Sequence, residues 1–195
     1  WAASQPDVHI VNTLLDLLAD PETLSRFAVQ DSLLRMGRTI VDPLSRYLEK
    51  HFGSAAVFGL ELAEAVAEPA FLPAALFHSA NGPTSVRVAA TSLLAAIGDE
   101  GATGRLAELL ADPIPEVRAA AASGLGRLRH WRSAPQLLAM LGDQSWQVKR
   151  QSAMALRLMG GPGVLMLRRA SASSDPAVSD IAQMMLDSPL QGTGR

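Results

Sequence analysis

The chain has 195 residues, 48% apolar, 18% charged and 5% aromatic, enough for a sizeable core and too few for more than one or two ordinary domains. Seventeen basic residues against nineteen acidic leave a net charge of −2, which points to neither a nucleic-acid coat nor an acidic disordered tail. Cysteine is absent, which excludes disulfides, thiolate metal sites and a cysteine nucleophile while leaving the compartment open between the cytoplasm and an extracytoplasmic, membrane-anchored setting.

Taken in chain order, apolar periodicity and turn residues predict helices in pairs, with one Tyr and five Phe against abundant Ala and Leu arguing against a β-sandwich. Repeat one (8–37) pairs helices 8–19 and 22–36 across Asp20-Pro21. Repeat two (38–68) pairs 40–50 with 54–67, and repeat three (69–98) pairs 70–80 with 84–97. Repeat four (99–130) pairs 101–111 with 115–129 across Asp112-Pro113, and repeat five (131–160) pairs 132–141 with 145–159. Repeat six (161–188) pairs 162–171 with 177–187 across Asp175-Pro176. Asp before Pro suits a helix start, and Gly37, Gly98 and Gly160 suit helix ends. The whole reads as one domain, 1–190, with a frayed tail at 191–195.

The pairs share one register. Ser25, Ala56, Val86, Val117, Val148 and Val178 recur every 30 or 31 residues. After Val86, Val117 and Val148, a small residue follows at plus four, Leu at plus eight, and Ile97, Leu128 or Met159 at plus eleven, which traces one face of a helix. Pro43, Pro73 and Pro135 stand 13 residues before an anchor, with Gly104 in the same slot. Repeat two departs most, because Ala56-Val57 lacks the basic residue that follows most other anchors.

The segment from Asp112 to Leu128, with its Asp-Pro, Val-Arg and small-residue run, resembles the HEAT repeat, in particular the short bacterial form called the phycobilisome-lyase HEAT-like repeat. The resemblance covers nearly the whole chain and implies a right-handed all-α solenoid, with second helices lining a concave side. It implies no single activity, since similar proteins include lyase subunits, scaffolds, DNA glycosylases and metal-dependent hydroxylases. It also implies that the basic column Arg26, Arg87, Arg118 and Lys149 bonds to an Asp near the preceding turn (Asp20, Asp112, Asp143) as a structural ladder.

Catalytic patterns are missing from the residues. His9, His51, His78 and His130 are isolated, with no adjacent Glu and no HExxH, so each is expected at the surface or in a turn. No serine sits in a nucleophile elbow, and Gly160-Gly161-Pro162-Gly163 lacks the Lys-Ser/Thr of a phosphate loop. Glu61, Glu64 and Glu68 read as a solvated helix face with nothing burying them. No enzyme activity, metal or cofactor is expected.

A partner protein is expected instead, as a helix or peptide segment with acidic character. Second-helix positions left over from packing nominate Phe58, Leu62, Val88, Ser92, Ser123, Arg127, Arg150 and Met154 as contacts. Charge is segregated: residues 118–169 hold nine basic side chains and one acid, Asp143, with Trp131 and Trp146 among them. That leaves nucleic-acid binding of the HEAT-like glycosylase kind as one alternative, and a lyase-type subunit acting with a second chain as another. The chain opens at Trp1 without a leader and reads as a fragment of a larger or membrane-anchored protein. Its first helix, apolar on more than one side, is expected to be covered by upstream chain, a second copy or a membrane-proximal segment.

Overall fold

The computed structural model describes residues 8–19 and 25–188. The expectations for Asp20-Pro21 and for the 191–195 tail lie outside them. Among the described residues there are twelve α-helices and no strand: α1 (Val8–Ala19), α2 (Arg26–Arg35), α3 (Val41–Lys50), α4 (Ser54–Val66), α5 (Leu72–Ala80), α6 (Thr84–Ile97), α7 (Glu100–Leu109), α8 (Pro115–Arg127), α9 (Ala134–Ala139), α10 (Trp146–Leu158), α11 (Gly161–Ala170) and α12 (Pro176–Asp187). No helix among them is long and apolar enough to cross a membrane. Short 3₁₀ turns precede α3, α5 and α9, and Pro73 and Pro135 open the α-helical segments that follow, where a missing N–H costs nothing.

Contacts divide the chain inside α7, into residues up to Arg105 and residues from Leu106 onward. In the first unit, α4 packs on α1, α3 and α6, and α6 also packs on α5. Its core holds Leu15, Leu33, Leu44, Leu60, Phe71 and Leu94, all fully enclosed. In the second unit α10 is the centre, packed on α8, α9, α11 and α12. A Cβ added to Gly126 would lie 2.5 Å from Ala155 Cα, so α8 and α10 touch backbone to backbone there and no larger residue fits.

The register read from sequence is the packing register in repeats two to five, whereas the outer anchors Ser25 and Val178 are exposed and half-exposed. Ala56, Val86, Val117 and Val148 are buried, as are Leu60, Ala90, Ala121 and Ser152 four residues on. Repeat two then slips: Ala63 is buried and Glu64, in the plus-eight slot, is half-exposed. A Cβ on Gly59 would come within 2.9 Å of Tyr47 and Leu48, so α3 presses on α4 at that point and fixes which way α4 faces.

Two structural expectations need correction. His78 is neither a surface nor a turn residue: it is buried, and its Nε2 lies 2.9 Å from the Leu48 carbonyl oxygen, linking α5 to α3. At Arg118 the carboxylate partner also lies forward rather than back. Arg118 grips the Asp143 carboxylate of the next repeat with two bonds of 2.9 Å, while its Nη1 donates to the Asp112 and Pro113 carbonyls at 2.8 and 3.1 Å. Three aspartates also turn the chain into a second helix, accepting from the amide two residues on: Asp112 from Ile114, Asp143 from Ser145 and Asp175 from Ala177.

Candidate partner-binding faces

Three second helices, α6, α8 and α10, carry a row of side chains left at least partly exposed. On α6 the row is Val88, Ser92 and Ala96, four residues apart and each half-buried. On α8 it is Ala120, Ser123 and Arg127, with Arg127 exposed. On α10 it is Arg150, Met154 and Leu158, all exposed, Met154 at 37% and Leu158 at 44%. Spacing of three or four keeps such residues on one helix face.

The nominated contacts divide accordingly between the two units. Phe58, Val88 and Ser92 belong to the first, partly exposed on α4 and α6. Ser123, Arg127, Arg150 and Met154 belong to the second, and the Gly126–Ala155 contact brings their two helices together. Leu62 is a correction: it is fully buried among the core residues of the first unit. The turn-to-turn slip of α4 places Glu61 and Ala65 outward in its stead, so Leu62 has no surface with which to touch a partner. Phe58 is occupied as well, with the Arg26 guanidinium 4.6 Å from its ring centroid.

Glu61, Glu64 and Glu68 are not a uniformly solvated stripe. Partial burial, reinforced by the neighbouring Glu64 charge, pushes the Glu61 carboxyl above its ordinary value. Glu68 pairs with Arg38 at 2.7 Å. Among the described residues no three His, Cys, Asp or Glu side chains gather closely enough to hold a metal ion. His51 and His130 have local roles, the first stacked on Tyr47 with its Nδ1 2.9 Å from the Tyr47 carbonyl, the second 2.9 Å from Ser133 Oγ.

The ends of the chain differ. Helix α1 buries Val11, Leu15 and Leu18 yet leaves Val8, Ile10 and Leu17 exposed. Helix α12 turns Asp180, Gln183 and Asp187 outward over buried Ile181, Ala182 and Met185.

The sequence reading missed one feature of the second unit. Twelve residues after their anchors, Gly37, Gly98 and Gly160 have φ of +61°, +66° and +81°, and the same slot in repeat four holds Arg129 at φ +51°. Extending the glycine column by one repeat would have found it.

Comparison with known proteins agrees with this architecture. A family model described as HEAT repeats matches residues 70–157 and 103–187. No curated protein matches the sequence significantly. Among solved structures, the complex of CpcE and CpcF of phycocyanin lyase from Nostoc sp. PCC7120 aligns at TM-score 0.62 and 17% identity, over 93% of this chain and 76% of that one. An engineered protein aligns at TM-score 0.59 and 17% identity, over 94% and 91% of the two chains. A designed armadillo repeat protein in complex with the peptide (KR)4 aligns at TM-score 0.54 and 17% identity, over 90% and 98%. At such identities the likeness shows the fold alone, an α-solenoid of two-helix repeats.

Proposed function

Because the chain belongs to the HEAT repeat family, we propose that it is a non-enzymatic interaction module that seats a helix or extended segment of a partner protein on the free rows of its second helices. One observation carries this reading: Arg150, Met154 and Leu158 form a continuous exposed row on α10, a cation followed by two apolar groups, and α10 packs on α8, which carries Ser123 and exposed Arg127. Small residues such as Ala120 and Ser123 let a second backbone approach, while Met154 and Leu158 supply apolar contact. A structural neighbour in complex with a peptide, and another that is a complex of two proteins, are in keeping with such use. Val88 and Ser92 offer a similar but uncharged row on α6.

The test is selection of a random 12-residue peptide display library on the intact chain. Recovered peptides should bind with micromolar Kd and lose at least tenfold in affinity on Met154→Glu or on Val88→Glu, with unchanged helical circular dichroism. Recovered peptides that bind both variants as well as the parent would overturn the assignment of these faces.

A further inference from the structure

Resting on that reading, we infer that the turn between α8 and α9 is an anion-recognising site for an acidic, carboxylate-rich segment of the partner. Arg127, Arg129 and Arg132 lie within six residues, all exposed, and none has an ion-pair partner among the described residues. Trp131, 43% exposed, stands between them. Three guanidiniums without carboxylates on one short turn leave positive charge unbalanced, and Arg presents a planar fork suited to carboxylate oxygens.

The backbone of this turn is built firmly. The Arg129 amide donates to the Gly126 carbonyl at 3.0 Å and the His130 amide to the Leu125 carbonyl at 2.9 Å, the paired bonds that close a helix end through a left-handed residue. The His130 ring is then held to Ser133 Oγ at 2.9 Å. Arg129 occupies the left-handed position, which disfavours any residue with a Cβ and which the equivalent slots of repeats one, three and five fill with glycine. Ala67, at φ +55° one slot earlier in repeat two, shows that the conformation is tolerated without glycine, but there the side chain is a methyl. At Arg129 a long cation is retained where glycine would be easier, on a turn already ordered before anything binds.

Apolar surface adjoins the charge. The Gly126–Ala155 contact places Arg127 next to the stretch of α10 that exposes Met154 and Leu158. A segment carrying carboxylates with an interspersed Leu or Phe satisfies both. Nucleic acid fits less well, since phosphates would match the arginines but leave exposed Met154 and Leu158 without an apolar partner. The other exposed arginines of the second unit lie elsewhere: Arg150 sits near the start of α10, and Arg168 and Arg169 lie in the last turn of α11.

The probe is a fluorescein-labelled 12-residue peptide of alternating Glu-Glu and Leu, read by anisotropy against its Gln-for-Glu counterpart and a 12-base-pair duplex. The acidic peptide should bind the chain at least tenfold more tightly than either, and weaken at least fivefold between 50 and 300 mM salt. Arg129→Gly should raise the thermal midpoint while weakening acidic-peptide binding about threefold to tenfold, a combination that a merely structural arginine does not produce. Arg127→Ala with Arg132→Ala should abolish the preference over the Gln peptide. Equal binding of the two peptides, tighter binding of the duplex, or an Arg129→Gly chain that binds undiminished would overturn the inference. Display-selected neutral peptides that still depend on Met154 would, in that event, leave the interaction-module reading standing.

Discussion

Removing Arg118 tests the inter-repeat ladder. Its guanidinium and the Asp143 carboxylate are only 16% and 8% exposed and meet through two parallel bonds of 2.9 Å. Burial by itself raises the Asp143 pKa, but the Arg118 bonds, the Ser145 amide and the charges of Arg118 and Lys149 outweigh it and hold the carboxyl below its ordinary value. Arg118→Ala strands that carboxylate with the Ser145 amide as its one remaining hydrogen bond and frees the Asp112 and Pro113 carbonyls, for an expected loss of about 3 kcal/mol. At a urea slope of about 2 kcal/mol per molar, the midpoint followed by circular dichroism should fall by about 1.5 M. Asp143→Asn should cost about 2 kcal/mol, and the double variant should recover about 2 kcal/mol relative to the sum of the singles. Because the folded carboxyl titrates lower than the unfolded one, this stabilisation is present above about pH 4 and disappears as pH falls through the folded pKa. A midpoint shift below about 0.3 M, or singles that simply add, would refute the ladder as a stabilising element.

Tyr47 gives the opposite pH signature. Burial, with the Asp16 charge adding to it, pushes its hydroxyl up to about 12 while the hydroxyl donates to the Ala55 carbonyl at 3.1 Å. Stability should therefore hold below pH 10 and fall by roughly 2–3 kcal/mol between pH 10 and 12, because the unfolded chain releases the proton first. Tyr47→Phe should flatten that decline in alkaline denaturation followed by circular dichroism; an identical decline in the variant would contradict the assignment. Leu62→Glu puts a carboxylate into a fully enclosed core position and should cost at least about 4 kcal/mol or prevent folding. Met154→Glu on the exposed α10 row should stay within about 0.5 kcal/mol of the parent by the same urea assay, and comparable losses would mean the two positions have been misplaced.

Most of the fold was legible because the anchors at 0, 4 and 8 mark a helix face whatever surrounds it. Helix 84–97 is found at the predicted residues, and α8 and α10 differ from prediction only at their ends. What failed was long-range. Which face α4 turns outward depends on Tyr47 and Leu48 pressing against Gly59, a contact that no periodicity reports, and Leu62 was misassigned for that reason. His78 looks like a lone polar residue until the Leu48 carbonyl, thirty residues earlier, is seen beside it. The ladder is legible in composition but not in direction, because Asp112 lies six residues from Arg118 in sequence and Asp143 twenty-five, and only the packing of α8 on α10 brings the distant carboxylate within reach.

Repetition also separates what a residue does for the fold from what it does beyond it. The buried positions of successive second helices repeat nearly unchanged, from Val86 and Leu94 to Val117 and Leu125 to Val148 and Leu156. The outward rows do not: Ser92 and Ala96 become Ser123 and Arg127 and then Met154 and Leu158. Packing demands the same answer in every repeat, so the positions that change chemistry while keeping their geometry are those that packing leaves unconstrained. Arg129 is the sharper case. Its slot is not unconstrained, since the left-handed backbone there favours glycine, and the neighbouring repeats comply. A residue that departs from its column against a local conformational preference, and that lies exposed beside two further arginines and a tryptophan, has no gain to show within the fold. Its gain has to be sought in what the turn meets.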